Sequence, residues 1–249
     1  MVDTTPYWVL RIVREHVTVP VHVEIIRFFL SGICHQIPER SLYFGGQPLP
    51  LCARCTGTFL GVLAGLLALW AIGRGRRSRL PSRGTMMALL PLVGWWAVDG
   101  LNSFLALGSG RGPLYEPNNT LRVVTGLGLG VSLAALLYPI YHYALWRERE
   151  DEPALGGRWA LPILLGAAVA VGSLLLGWRT APYALWAALA TVAAAATLTI
   201  ANGAMVTLLV RKEGYARRWP EVMPWLFVGL LLSLGETGVL ALLRRWLGA

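Results

Sequence analysis

Charge is scarce in this chain. Asp, Glu, Lys and Arg make up 14% of the 249 residues, 55% are hydrophobic, and the mean hydropathy is +0.56. So few charges cannot cover a water-soluble surface of this size, which excludes a soluble globular protein and makes the chain an integral membrane protein. Cysteine is scarcer still: Cys34, Cys52 and Cys55 are the whole set, an odd number that leaves one thiol over from any disulfide. No internal repeat, nucleotide-binding loop, haem-attachment motif or serine-hydrolase elbow is present, and no cleavable leader is recognisable. The formal net charge of +9 does not point to nucleic acid. The arginines flank apolar runs instead of lining one polar face, as topogenic charges do.

What is abundant is long apolar sequence. A spanning helix needs about 20 mostly apolar residues to cross about 30 Å of hydrocarbon, because each backbone amide must be satisfied within the segment. Six runs qualify: 56–73, 85–107, 121–146, 159–177, 182–210 and 221–243. Loop 74–84 carries Arg74, Arg76, Arg77, Arg79 and Arg83; loop 147–158 carries Arg147, Arg149 and Arg158; loop 211–218 carries Arg211, Lys212, Arg217 and Arg218. These alternate loops fall on one side, which the positive-inside rule makes cytoplasmic. The segment before the first span is then on the outer face of a cell (plasma or inner) membrane, although Arg244 and Arg245 are left on that face too.

Residues 1–55 are expected to form an interfacial unit ahead of a six-helix bundle over 56–249. From Tyr7 to Ile33, charges recur every three or four residues among apolar ones, and Pro20 interrupts the run. The pattern predicts two short amphipathic helices in the membrane interface, or equally a lid packed on the bundle.

The chemistry sits between that stretch and the first span, in Cys34-His35 and Cys52-Ala53-Arg54-Cys55. Gly45-Gly46-Gln47-Pro48 and Pro50 between the blocks predict a tight reversal that returns Cys34 and His35 to Cys52 and Cys55. A C-x-x-C turn grips one ion with two thiolates, and Cys34 and His35 complete a zinc-type tetrahedron. Because adjacent side chains often point apart, His22, His16, a carboxylate or water are alternatives to His35. The same atoms suit redox chemistry, since a helix N-terminus and Arg54 both favour a thiolate and Cys34 could resolve a mixed disulfide. A plain structural disulfide is the third reading.

Cys34-His35-Gln36-x-Pro38-x-Arg40-Ser41 with Cys52-Ala53-Arg54-Cys55-Thr56-Gly57 and Gly61 resembles the pattern of a family of prokaryotic integral membrane proteins known as a domain of unknown function. The resemblance spans about residues 24–130. It implies further pattern positions at Asp99, Asn102, Arg122 and Gly126, and it implies no reaction.

Asp99 and Asn102 share a helix face toward the outer end of the second span; Arg122 and Thr125 open the third, and Glu236 lies in the outer half of the last. An ionisable side chain in the hydrocarbon costs about 2.5–3.5 kcal/mol on insertion scales, so pairing is expected, with Asp99–Arg122 as the pair. His142, among Tyr138, Tyr141 and Tyr143, reads as aromatic belt. Gly126 and Gly130 predict a close helix contact, and the Ala/Leu-rich region 159–243 reads as packing scaffold.

The sequence thus predicts an all-α, six-span protein with a Cys34/His35/Cys52/Cys55 metal site, zinc by its ligand chemistry, over a polar pocket from spans two, three and six. The partners to expect are the lipid bilayer and, as a further option, other membrane subunits. Three classes of function fit. A metal-stabilised structural, accessory or transport protein needs a closed site. A metal-dependent membrane enzyme needs an open one, with Asp99, Asn102, Arg122 and Glu236 as candidate catalytic residues. A thiol oxidoreductase needs reversible Cys52–Cys55 chemistry.

Overall fold

A computed structural model of the protein describes residues 21–247. The elements run α1 (Val21–Ser31), a 3₁₀ turn (Pro38–Arg40), β1 (Ser41–Phe44), β2 (Gln47–Cys52), α2 (Ala53–Ala71), β3 (Arg77–Arg79), α3 (Arg83–Ser109), α4 (Asn119–Leu145), β4 (Glu150–Pro153), α5 (Ala160–Gly177), α6 (Tyr183–Leu209) and α7 (Trp219–Trp246). Helices α2 to α7 are each long and apolar enough to cross a membrane. The expected spans and the observed ones differ most, by three residues, at the start of α2 and the end of α7. The first of the two expected N-terminal helices lies outside the described residues; α1 is the second.

Local signals explain the boundaries. The Ser82 side chain caps α3 by accepting from the Thr85 amide at 3.2 Å, and Asn118 Oδ1 caps α4 by accepting from Leu121 at 2.8 Å. Gly110, at φ +74°, ends α3 in the left-handed conformation that glycine tolerates.

Helix α4 is the centre of the bundle: it is the most buried span, and α2 lies along it. Glycines make that contact. A Cβ added at Gly126 would lie 2.3 Å from the Arg54 carbonyl oxygen, and one at Gly130 would lie 2.2 Å from that of Thr58. On the facing helix, Gly57 meets the Val123 carbonyl at 2.4 Å in the same way. Bare backbone on both sides lets the two helices touch, as small-residue motifs do in membranes. The Gly126/Gly130 expectation is met, with α2 as the partner.

Two small sheets add to the helices. The parallel pair β3–β4 holds loop 74–84 beside loop 147–158, braced by Arg77 to Glu152 at 2.8 Å. A bridge between Trp146 and Ala216 adds the third basic loop. All three arginine-rich loops therefore share one end of the bundle, as the alternation of spans requires. At the opposite end, α1 packs on α7. Arg244 explains part of the cationic end of α7: its guanidinium donates to the carbonyls of Ser31 at 3.1 Å, Cys34 at 2.7 Å and His35 at 3.0 Å.

Candidate metal centre and the polar cluster beside it

The cysteines are positioned by a hairpin. Gly45 and Gly46, at φ +55° and +76°, make a two-residue reversal that only residues tolerant of positive φ form easily, and Phe44 pairs with Gln47 across it. Farther along the ladder Ser41 pairs with Cys52. Strand β2 ends at Cys52, which is the N-cap of α2, so Cys55 falls in the first turn of the helix. Cys34 arrives from the end of α1, its amide bonded to the Leu30 carbonyl at 3.0 Å.

The three sulfurs lie within 4.8 Å of one another, and Cys34 Sγ accepts from the Cys52 amide at 3.2 Å. Their surroundings are apolar: Leu30, Leu51, Ala190 and Ala194, with Phe59 beside them. The Cys52 thiol is held down to about 2 by hydrogen bonds from Cys34 and Cys55, with further help from the amides of Cys55 and Arg54 against the cost of burial. Cys34 is pushed up to about 11, chiefly by the bond it gives Cys52. Among the three thiols, Cys52 is thus the one whose surroundings most favour the thiolate. A soft cation that displaces the thiol protons would turn the group into a three-thiolate cup.

His35 is exposed and does not join the sulfur group. Its backbone, next to Cys34, is fixed by Arg244. His16 lies outside the described residues.

Beside the cysteines stands a polar cluster built around Asp99, which is fully buried on α3. The expected Asp99–Arg122 pair does not form. Asp99 Oδ2 instead takes the Arg54 guanidinium, through Nε at 3.1 Å and through Nη2. Arg54 Nη2 also donates to the Asp99 carbonyl at 3.0 Å and to Ser103 Oγ at 2.9 Å. Tyr115 donates to Asp99 Oδ1 at 2.9 Å, and Thr125 Oγ1 reaches Oδ2 at 3.3 Å. The cause of the exchanged partner is the glycine contact: Gly126 admits the first turn of α2 so closely that Arg54 reaches the carboxylate. Arg122 bonds Asn119 Oδ1 at 2.7 Å instead. Asn102 closes the loop after α3, donating to the Tyr115 carbonyl at 2.9 Å and accepting from the Leu114 amide at 2.9 Å.

Glu236 is elsewhere. It is exposed on α7 and accepts from Asn202 of α6 at 3.0 Å. The expected pocket from spans two, three and six is therefore corrected to a cluster from spans one, two and three. Arg54, Ser103 and Tyr115 were missed as members. The sequence ties Arg54 to the thiols; the signal for its role here is that Asp99 needs a cation and that one lies in the C-x-R-C turn. Arg40, whose Nη2 donates to the Ser103 carbonyl at 2.7 Å, was also missed.

The family described as "Predicted membrane protein (DUF2085)" matches residues 34–136, which include all three cysteines, Asp99 and Arg122. An uncharacterized protein of Methanocaldococcus jannaschii is 31% identical over 119 residues, covering 47% of this chain and 69% of the relative. An uncharacterized protein of Methanothermobacter thermautotrophicus is 33% identical over 113 residues, covering 45% of this chain and 91% of the relative. No solved structure matches the chain.

Proposed function

Since the chain belongs to the DUF2085 family of predicted membrane proteins, and its cysteines fall inside the matched region, we propose that Cys34, Cys52 and Cys55 hold one soft metal ion, zinc by ligand chemistry. The centre stabilises a structural, accessory or transport protein at the bundle's outer end. The observation that carries this reading is the convergence of three sulfurs within 4.8 Å on a helix N-cap. Thiolates bound to one tetrahedral zinc at about 2.3 Å lie about 3.8 Å apart, so closing on an ion asks the sulfurs to move by no more than about 1 Å. His35 supplies the fourth ligand by turning its ring from the surface toward the neighbouring Cys34. The positive-inside rule supports the outer face, because the arginine-rich loops share the opposite end. The membrane is then the plasma or inner membrane.

Protein purified without chelator should contain about one zinc per chain. Each Cys→Ser variant should lose metal and thermal stability together, and His35→Ala should weaken metal retention. A metal-free protein with three intact thiols and undiminished stability would sink the proposal.

The place of Cys52 at the N-cap of α2, which favours its thiolate, supports a second reading, a membrane thiol-disulfide oxidoreductase in which Cys52 attacks and Cys55 or Cys34 resolves. It predicts a reversible disulfide in metal-free protein equilibrated with a glutathione redox buffer. A zinc-loaded protein inert to that buffer decides for the metal.

A further inference from the structure

Among the described residues, the polar cluster gathers three guanidiniums around one buried acid. Asp99 is the single buried acid among the described residues, and its oxygens are already engaged by Arg54, Tyr115 and Thr125. Two more guanidiniums face the same place. Arg40 and Arg54 share Ser103, Arg40 through its carbonyl and Arg54 through its hydroxyl, and Arg122 stands against both as a like charge.

Among the described residues, neither Arg40 nor Arg122 has a carboxylate partner of its own. Arg40 gives one hydrogen bond to a carbonyl, and Arg122 gives one to the Asn119 amide oxygen. Arg122 is only 6% exposed, yet its Nε has no hydrogen-bond partner. A guanidinium carries five donors, and burying one so poorly satisfied is costly. The Asn119 amide that accepts from Arg122 donates to the Glu39 and Ser41 carbonyls on either side of Arg40, which ties the two arginines to one place. Three guanidiniums therefore gather around Asp99, which is the one buried acid among the described residues.

The residue types name the missing partner. Guanidinium forks match the paired oxygens of phosphate-type anions. Arg122 lies in the first turn of α4, whose 27 residues point the positive end of their dipole the same way. We propose that Arg40 and Arg122 bind an oxoanion of the phosphate type at the cysteine-bearing end of the bundle. Either a phospholipid headgroup or a free oxoanion supplies this chemistry. The site does not depend on the metal reading, since none of its ligands is a cysteine.

The test uses the intact purified protein in nanodiscs of phosphatidylcholine. In one arm inorganic phosphate is titrated calorimetrically at fixed ionic strength. In the other, phosphatidylglycerol is introduced stepwise and bound lipid is counted by native mass spectrometry. Saturable binding of one phosphate identifies a free oxoanion; retention of one phosphatidylglycerol without phosphate binding identifies a headgroup. In either arm Arg40→Gln and Arg122→Gln should each weaken binding about tenfold or more, the scale of a lost charged hydrogen bond. Arg122→Lys, which keeps the charge and loses the fork, should fall between. No binding in either arm overturns the proposal, as does wild-type affinity in Arg40→Gln. Arg40 is half-buried on a 3₁₀ turn outside the spans, so its variant decides the matter even if Arg122→Gln does not fold.

Discussion

The two halves of the bundle solve the same problem in different ways. Spans α2, α3 and α4 bury charge and bind it with side-chain hydrogen bonds, whereas α5, α6 and α7 pack through small residues and carry, among the described residues, a polar link through Asn202 that ends on an exposed carboxylate. In the first half Asp99 is fully enclosed and contacted by three other side chains. In the second, Gly229 rests on the Thr199 carbonyl and on Gly203, and the carboxylate of Glu236 is left exposed. The family match ends at residue 136, within the third span. A costly buried network beside a thiol cluster is what a site requires; close-packed glycine and alanine are what a scaffold requires.

The largest expected effect tests whether the first half depends on its ion pair. Asp99→Ala strands the Arg54 guanidinium, whose side chain is only 17% exposed, and should cost about 3–5 kcal/mol. Replacing both residues, as Arg54→Met with Asp99→Leu, should cost much less, because no charge is left behind. Unfolding in mixed micelles gives all three values. Additive single effects in the double-mutant cycle would show that the pair is not coupled.

Next comes the glycine contact that brings Arg54 to Asp99. Gly130→Ala drives a Cβ against the Thr58 carbonyl and should destabilise by about 1–3 kcal/mol or more. Gly166→Ala on α5 meets nothing within 4 Å, and should be neutral or stabilise by up to about 1 kcal/mol through helix propensity. Equal costs at the two positions would erase the distinction between the halves.

These contrasts mark where the sequence could be read. Hydrophobic run length located all six spans, and Gly45-Gly46 located the reversal that delivers Cys34 to Cys52, because both depend on local chemistry. The Asp99 partner was misassigned for a non-local reason. Arg54 and Arg122 both open spans at the same end, and only the depth of the Gly126 contact decides which guanidinium reaches the carboxylate. Glu236 was placed in a shared pocket because its height along the span suited it. Height does not give azimuth, and α7 turns that residue toward Asn202 and the lipid. His35 shows a third limit, since adjacency to Cys34 in sequence does not by itself fix the direction of its ring, which stands exposed.

A smaller effect belongs to Tyr115, which ties the loop after α3 to the buried carboxylate. Its hydroxyl is pushed up to about 12, first by desolvation and then by the bond it gives Asp99. The folded protein therefore holds that proton more tightly than the unfolded chain, where tyrosine titrates near 10. The contribution is complete below about pH 10 and is lost as pH rises toward 12. Tyr115→Phe should cost about 1 kcal/mol at neutral pH, and its stability should fall less than that of the native protein over the alkaline window. Parallel pH profiles would remove Tyr115 from the cluster.

The smallest effect probes the second half on its own terms. Asn202 is 7% exposed and donates to Ser233 Oγ at 3.1 Å and to Glu236 Oε2 at 3.0 Å, linking α6 to α7. Interhelical hydrogen bonds of this kind average about 0.6 kcal/mol in membranes, because separated helices also find partners. Asn202→Ala should therefore cost about that much, several-fold less than Asp99→Ala. Glu236→Gln keeps an acceptor for Asn202 while removing a lipid-facing charge, so it should be neutral or slightly stabilising. Thermal unfolding of both variants in one detergent is sufficient to check this. A loss at Glu236 as large as that at Asp99 would mean that the carboxylate is enclosed in the working protein, by a second subunit or another part of the chain, and the second half would then hold a site of its own.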